Sequence, residues 1–85
     1  MDNEYPDVTI YTRRWCGASM RVTRFLNERA IPYAEIDITQ DPDAAGVVRE
    51  LNRGYESVPT ILFDGRHVAT EPSEAELARL LGLSG

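Results

Sequence analysis

Two β-type segments on either side of a helical segment constrain the fold of this chain most strongly. Residues Val8–Thr12 are β-branched and aromatic, and residues 33–38 alternate between polar and apolar side chains, which predicts two short strands. The helical segment between them begins at Gly17 and is expected to end before Pro32. We expect the two strands to be parallel and joined by a right-handed crossover, which is typical of an α/β domain.

The apolar positions predict which side of each segment is buried. The predicted buried face of the first helix consists of Ala18, Val22, Phe25 and Leu26. In the second strand, the residues predicted to share one side are Ala34, Ile36 and Ile38.

A second helix is predicted from its capping residues. Asp41 is a suitable N-cap, Pro42 suits the first helical position, and the carboxylate of Asp43 complements the helix dipole. Gly54 is expected to close the segment. The predicted buried stripe consists of Val47, Val48 and Leu51.

The remaining segments predict a hairpin and a last helix. Asp64 and Gly65 separate Thr60–Phe63 from residues 66–69 and suit a type I′ turn. Ser73 and Glu76 form a capping box, which precedes Leu77, Leu80, Leu81 and a terminating Gly82. The order strand, helix, strand, helix, hairpin, helix predicts an α/β fold. Its mixed sheet has four strands flanked by three helices, in a single domain over residues 1–85.

Composition excludes several classes of function. A formal net charge of -5 disfavours nonspecific binding to nucleic acid, and no apolar run approaches membrane-spanning length. The single cysteine excludes an intramolecular disulfide framework and favours a reducing cytosol. One histidine and one cysteine do not make up a metal site of three or four ligands. We therefore expect a cytoplasmic monomer that binds no metal, nucleic acid or membrane.

Cys16 lies where the first strand ends and the first helix begins. The unpaired amides of a helix start favour an anion, and such a position can lower the pKa of a cysteine thiol from about 8.5 to between roughly 3.5 and 7.5. Arg13 and Arg14 either add positive potential or simply face solvent. The alternative is an inert buried cysteine, which would more naturally lie within the strand or on the apolar helix face.

Two segments resemble the active site of glutaredoxins. Residues 15–19 (WCGAS) resemble the family's WCxxC or WCxxS motif, and residues 57–60 (SVPT) resemble its (T/S)VPT segment. The resemblance covers nearly the whole chain. Within the family the chain most resembles the mycoredoxins, the actinobacterial branch that reduces mixed disulfides with mycothiol. The features that carry this resemblance are the compact length and residues 52–60 and 70–73. The resemblance implies a glutaredoxin-like thioredoxin fold with a cis bond before Pro59, beside the catalytic cysteine.

The resemblance also implies roles for individual residues. Cys16 is the expected nucleophile, and Ser19 occupies the position of the resolving cysteine. The residues expected to contact substrate are Trp15, Gly17, Ala18, Val58, Pro59, Thr60 and Ser73. For Ser73 we favour helix capping over binding of an acceptor group of the thiol. We expect no bound cofactor, mycothiol or glutathione as co-substrate, and S-thiolated proteins as partners.

Two residues depart from the family pattern. Glu71 stands where a mycoredoxin is expected to have asparagine. Ser19 cannot form a disulfide, so the chain is restricted to monothiol exchange through a mixed disulfide. Ser19 is either natural or an engineered replacement of a resolving cysteine. We favour replacement, because mycoredoxins generally carry CxxC.

Two other functions stay open as alternatives. The first is iron–sulfur cluster carriage by a monothiol glutaredoxin with a CGFS motif, from which residues 16–19 differ at one position. The chain lacks the lysine before the motif and the loop insertion of that class. The second is a non-catalytic thioredoxin-fold binding module in which Cys16 is incidental. We rank thiol exchange above both.

Overall fold

The computed structural model describes residues 5–83. The elements are β1 (Val8–Thr12), α1 (Gly17–Glu28), β2 (Tyr33–Asp37), α2 (Pro42–Leu51), β3 (Thr60–Phe63), β4 (Arg66–Thr70) and α3 (Glu74–Leu80). Their order is the predicted one, and α1 ends before Pro32 as expected. Among the described residues, no helix has the length and apolar character needed to cross a membrane.

The four strands form one mixed sheet in the order β2-β1-β3-β4. β1 is parallel to β2, with Val8 opposite Tyr33, and antiparallel to β3, with Tyr11 opposite Thr60. Because β1 and β3 run in opposite directions, the residues that follow β1 and those that precede β3 meet at the same edge of the sheet. This edge carries both segments that resemble the glutaredoxin active site.

The sheet is covered on both faces. The side with α1 and α3 buries a cluster of Val8, Ile10, Val22, Phe25, Leu26, Ile31, Ile61, Leu77 and Leu81. The side with α2 buries Tyr11, Ile38, Ala44, Ala45, Val48 and Val58. β1 contributes to both clusters, and full burial of a side chain such as Ile10 stabilises the fold by about 1.5–3 kcal/mol.

The predicted N-cap of α2 is confirmed, and the C-cap residue is Asn52, two residues before Gly54. Asp41 Oδ1 accepts a hydrogen bond from the main-chain N–H of Ala44 at 3.0 Å, and Pro42 is the first helical residue. Past the end of the helix, Gly54 adopts a φ of 94° and its N–H donates to the carbonyl oxygen of Arg49 at 2.7 Å.

The predicted buried stripe of α2 is wrong in part. The buried residues of the helix are Ala44, Ala45 and Val48, whereas Val47 is 38% exposed and Leu51 is half-buried. The two small alanines share a helix face with Val48 and allow the helix to approach the sheet closely. Adjacent valines cannot both lie at the centre of one helix face, because successive residues are about 100° apart.

The predicted burial of Ala34 is also wrong. Ala34 and Ile36 lie opposite Thr9 and Tyr11 of β1 and so share one side of the sheet. The cluster beneath α2 includes Ile38 and contacts Ile36, but it does not extend to Ala34, which is exposed. β2 ends one residue earlier than predicted.

The hairpin and last helix follow the predicted pattern closely. Asp64 and Gly65 have φ values of 52° and 81°, as a type I′ turn requires, and β4 extends one residue further than predicted. The Ser73 hydroxyl accepts a hydrogen bond from the N–H of Glu76 at 3.1 Å. In the predicted buried set of α3, Leu77 and Leu81 are buried and Leu80 is half-buried.

The packing of α2 predicts unequal effects of two adjacent substitutions. Val48→Ala removes fully buried methyl groups and should lower the free energy of unfolding by about 1.5–3 kcal/mol. Val47→Ala makes the same chemical change on the exposed side and should stay within about 0.5 kcal/mol of the parent. Urea unfolding of both variants measures the difference, and equal losses would contradict the observed helix orientation.

Candidate active site

Cys16 is the N-cap residue of α1. Its main chain is extended, with φ -91° and ψ 113°. Its N–H donates to the carbonyl oxygen of Arg13 at 3.2 Å, and its own carbonyl accepts from the N–H of Met20 at 3.0 Å. The thiol therefore lies at the positive end of the α1 dipole, as the sequence predicts.

The environment of Cys16 is closed on one side and open on the other. The side chain is half-buried and packs against the cluster that includes Tyr11 and Val58. A Cβ atom built on Gly17 would meet no neighbouring atom within 4 Å, and Trp15 is 88% exposed. A disulfide can therefore approach from the Gly17 side.

The pKa of the Cys16 thiol is lowered from its ordinary value. The Ser19 side chain has the largest effect, burial opposes it, and the main-chain N–H groups of Ser19 and Ala18 lower the pKa further. The negative charge of Glu71 raises the pKa. The balance favours the thiolate, which is the nucleophilic form.

Ser19 is only 4% exposed. Within the part of the chain that the structure describes, its hydroxyl oxygen has no hydrogen-bond partner. Its effect on the pKa of Cys16 therefore arises from proximity to the sulfur rather than from a hydrogen bond of full geometry. A serine hydroxyl rotates freely, so it can turn to donate to the thiolate.

Neither Arg13 nor Arg14 is among the groups that shift the pKa of Cys16. Arg13 Nη2 pairs with Glu56 Oε1 at 3.2 Å, and Arg49 Nη1 pairs with Glu56 Oε2 at 2.7 Å. The pKa of Asp37 is lowered, mainly by its hydrogen bonds from Thr39 and further by the charges of Arg14 and Arg13. Exposed ion pairs contribute at most about 1 kcal/mol to the stability of a fold. The pair of Arg13 and Glu56 nevertheless connects the loop after β1 to the loop before β3.

The proline segment lies at the same edge of the sheet as Cys16. The Val58–Pro59 peptide bond is cis, as the resemblance implies, and the carbonyl oxygen of Pro59 accepts a hydrogen bond from the N–H of Glu71 at 2.8 Å. Within residues 5–83, the main chain of Val58 makes no hydrogen bond outside the regular elements. The side chains of Val58, Pro59 and Thr60 are buried.

Comparison with known proteins agrees with this geometry. The sequence model of the Glutaredoxin family matches residues 8–68. The chain belongs to the glutaredoxin family. A Mycobacterium tuberculosis protein whose given name assigns it to the glutaredoxins is 38% identical over 79 residues, which are 92% of this chain and 94% of that protein.

Two further similarities concern a relative and a solved structure. Mycoredoxin 1 of Corynebacterium glutamicum is 38% identical over 72 residues, or 84% of this chain and 87% of that protein. The crystal structure of a substituted form of the thioredoxin-like protein BC3987 superposes with a TM-score of 0.77 at 27% identity, covering 92% of this chain and 97% of that chain. The α/β thioredoxin fold expected from the sequence is therefore confirmed.

A polar network behind the glutaredoxin proline segment was not apparent in the sequence. Asn52 Nδ2 donates to the carbonyl oxygen of Val48 at 2.9 Å and to Thr60 Oγ1 at 3.0 Å. Thr70 Oγ1 donates to Asn52 Oδ1 at 2.7 Å, and Thr60 Oγ1 donates to the carbonyl oxygen of Ser57 at 2.6 Å. Because the Thr60 side chain is fully buried, it fixes this segment instead of reaching solvent.

Two other polar residues have structural partners. The Ser73 hydroxyl caps α3, as favoured from the sequence. His67 is exposed, and its Nε2 atom lies 2.8 Å from Thr70 Oγ1, a partner that lies on the same hairpin strand. Neither contact gives the residue a chemical role at Cys16.

The lowered pKa predicts the pH dependence of Cys16 alkylation. The rate with iodoacetamide should rise with pH through a midpoint below about 8.5, the ordinary value for a cysteine thiol. Ser19→Ala should move the midpoint upward, because it removes the largest cause of the lowered pKa. Thr23→Ala, one turn further along α1, removes a hydroxyl that bonds to the Met20 carbonyl and should leave the midpoint unchanged. A parent midpoint at 8.5 or above would contradict the assignment.

The buried network predicts a difference between two asparagines. Asn52→Ala removes the hydrogen bonds of the Asn52 amide to the Val48 carbonyl and to the hydroxyls of Thr60 and Thr70, and it should lower the free energy of unfolding by about 1–3 kcal/mol. Asn27→Ala removes an exposed acceptor of the Tyr33 hydroxyl and should have little effect. Thermal or urea unfolding measures the stability of both variants. An unchanged free energy of unfolding in Asn52→Ala would show that the network does not stabilise the fold.

Proposed function

We propose that this chain reduces mixed disulfides between proteins and a low-molecular-weight thiol by monothiol exchange at Cys16. The observation that carries the proposal is a thiol at the N-cap of α1, with a lowered pKa and one open side. Family membership supports thiol–disulfide oxidoreductase chemistry. A reducing compartment is part of the proposal, because Cys16 must be free to attack.

The reaction has two exchange steps. The Cys16 thiolate attacks the small-thiol sulfur of the mixed disulfide, so the protein sulfur leaves as a thiolate and Cys16 forms a disulfide with the small thiol. A second small-thiol thiolate then attacks the small-thiol sulfur of that intermediate. Cys16 leaves as a thiolate, and the two small thiols are released as their symmetrical disulfide. The net reaction converts the mixed disulfide and one small thiol into the protein thiol and the symmetrical disulfide, so the protein sulfur is reduced as the second small-thiol sulfur is oxidised.

The residues around Cys16 have distinct proposed roles. The Ser19 hydroxyl and the N–H groups of Ala18 and Ser19 stabilise the thiolate both before attack and as it leaves. Gly17 leaves the approach to the sulfur open. The main chain of Val58 offers hydrogen-bonding groups to an extended substrate segment.

The exposed Trp15 and the fixed proline segment complete the proposed substrate contacts. The Trp15 indole can pack on the client beside the sulfur. Pro59 and Thr60 act through the backbone that they hold in place, since both side chains are buried. Ser73 serves α3 as a cap and is not assigned to binding.

Mycothiol is the favoured co-substrate in this proposal. The relative from Corynebacterium glutamicum is named Mycoredoxin 1, and it is 38% identical to this chain. Glutathione is the alternative. Both are used as free co-substrates, so no resident cofactor is required.

Steady-state turnover tests the proposed reaction. A mixed disulfide between a peptide and each small thiol is supplied with mycothiol, glutathione or bacillithiol, and release of the peptide thiol is measured. We expect turnover to be highest with mycothiol and to be lost in Cys16→Ser. Absence of turnover with all three thiols, in a protein that retains its fold, would refute the proposed function.

Ser19→Cys tests the restriction to monothiol exchange. This variant restores a possible internal disulfide and should reduce protein disulfides that the parent reduces only slowly. The matched control is Ser57→Cys, which adds a thiol in the proline segment, outside residues 15–19. Equal reduction of protein disulfides by the parent and Ser19→Cys would contradict the assignment of Ser19 to the resolving position.

A further inference from the structure

A cleft beside the first turns of α1 carries unbalanced charge. Its volume is about 460 Å³, and its lining residues include Arg21, Glu71, Ser73, Glu74 and Leu77. Arg21 lies about one and a half helical turns beyond Cys16. Two carboxylates and one guanidinium line the cleft, which gives it a negative net charge. Among residues 5–83, Arg21, Glu71 and Glu74 form no salt bridge that would neutralise these charges.

The backbone of Glu71 is held at the site. Its N–H donates to the carbonyl oxygen of Pro59 at 2.8 Å, and its φ of 52° lies in the left-handed region. Pro72 follows directly and has a fixed φ of its own. The side chain therefore projects from a constrained residue beside the proline segment, and its charge reaches the Cys16 sulfur.

We propose that Glu71 makes Cys16 selective for the charge of its reaction partner, favouring cationic and uncharged thiols and disulfides over carboxylate-bearing ones. Where the partner is the thiol co-substrate, this inference rests on the proposed function. Cys16 packs against the cluster that contains Val58, and Glu71 bonds to the next residue, Pro59, so a partner whose sulfur reaches Cys16 brings its other groups near Glu71. An anionic group there is repelled by Glu71 and Glu74, and Arg21 offsets only part of the repulsion.

The proposal distinguishes small thiols by their chemistry. Glutathione carries two carboxylates and one ammonium group, so its approach to Cys16 is opposed. A thiol whose substituents are amides and hydroxyls meets no such repulsion. Glu71 is thus assigned as a specificity-determining residue that acts through charge, without contact with the sulfur.

Charged probes of similar size test this directly. The trimethylammonioethyl and sulfonatoethyl methanethiosulfonates each react with the Cys16 thiolate, form a disulfide and release methanesulfinate. Cys16 is the one cysteine of the chain, so the rate of each reaction reports on this residue. The ratio of the cationic to the anionic rate cancels both the thiolate fraction and any change in the pKa of Cys16.

Glu71→Gln should lower this ratio about three- to tenfold at low ionic strength, and Glu71→Lys should lower it further. The difference should shrink at high salt, because the charges are exposed to solvent. The matched control is Glu50→Gln, which removes an exposed carboxylate near the end of α2 that does not line the cleft. Its ratio should stay at the parent value.

Each outcome decides the inference. A decrease of less than twofold in both Glu71 variants, or an equal decrease in Glu50→Gln, overturns the role of Glu71. A selective decrease supports it even where the parent shows no turnover of mixed disulfides, in which case the proposed function fails and the charge selectivity of Cys16 stands.

Discussion

The junction between β1 and α1 is the constraint on which the rest of the site depends. β1 is an inner strand, paired on both edges and packed on both faces, so its end is fixed in position. α1 begins only a few residues later, and Cys16 occupies its N-cap. The antiparallel pairing of β1 with β3 brings the Val58–Pro59 segment to the same edge. The proposed nucleophile and the proposed substrate-binding segment are thus placed together by the antiparallel pairing of β1 with β3.

Local features of the chain were predictable, and contacts between distant residues were not. The caps formed by Asp41 and Ser73 and the turn at Asp64 and Gly65 depend on residues close together in the chain, so capping and turn chemistry predicted them correctly. The network of Asn52 joins residues up to 18 positions apart, and the partner of Arg13 is 43 positions away. No periodicity in the sequence signals such pairs. The burial of Val47 was mispredicted because only one of two adjacent valines can face the sheet, and that of Ala34 because the cluster beneath α2 does not extend to it.

The reactivity of Cys16 results from opposing local influences. The Ser19 side chain and the amides at the start of α1 lower its pKa, while burial and Glu71 raise it. In the proposed mechanism Ser19 therefore has two effects: it cannot form a disulfide, and its buried hydroxyl lowers the pKa of Cys16. Glu71 weakens the thiolate slightly and, by its charge, restricts which partners reach it. The same few residues thus set both the rate and the selectivity of exchange.

Single-turnover mass spectrometry tests the central claim most directly. The reduced protein is mixed with one equivalent of a peptide joined by a disulfide to mycothiol, and the intact masses are measured at short times. Attack on the small-thiol sulfur predicts that Cys16 carries the mass of mycothiol and that the peptide appears as a free thiol. A protein that carries the peptide would contradict attack on the small-thiol sulfur, and one that stays unmodified would contradict exchange at Cys16 altogether.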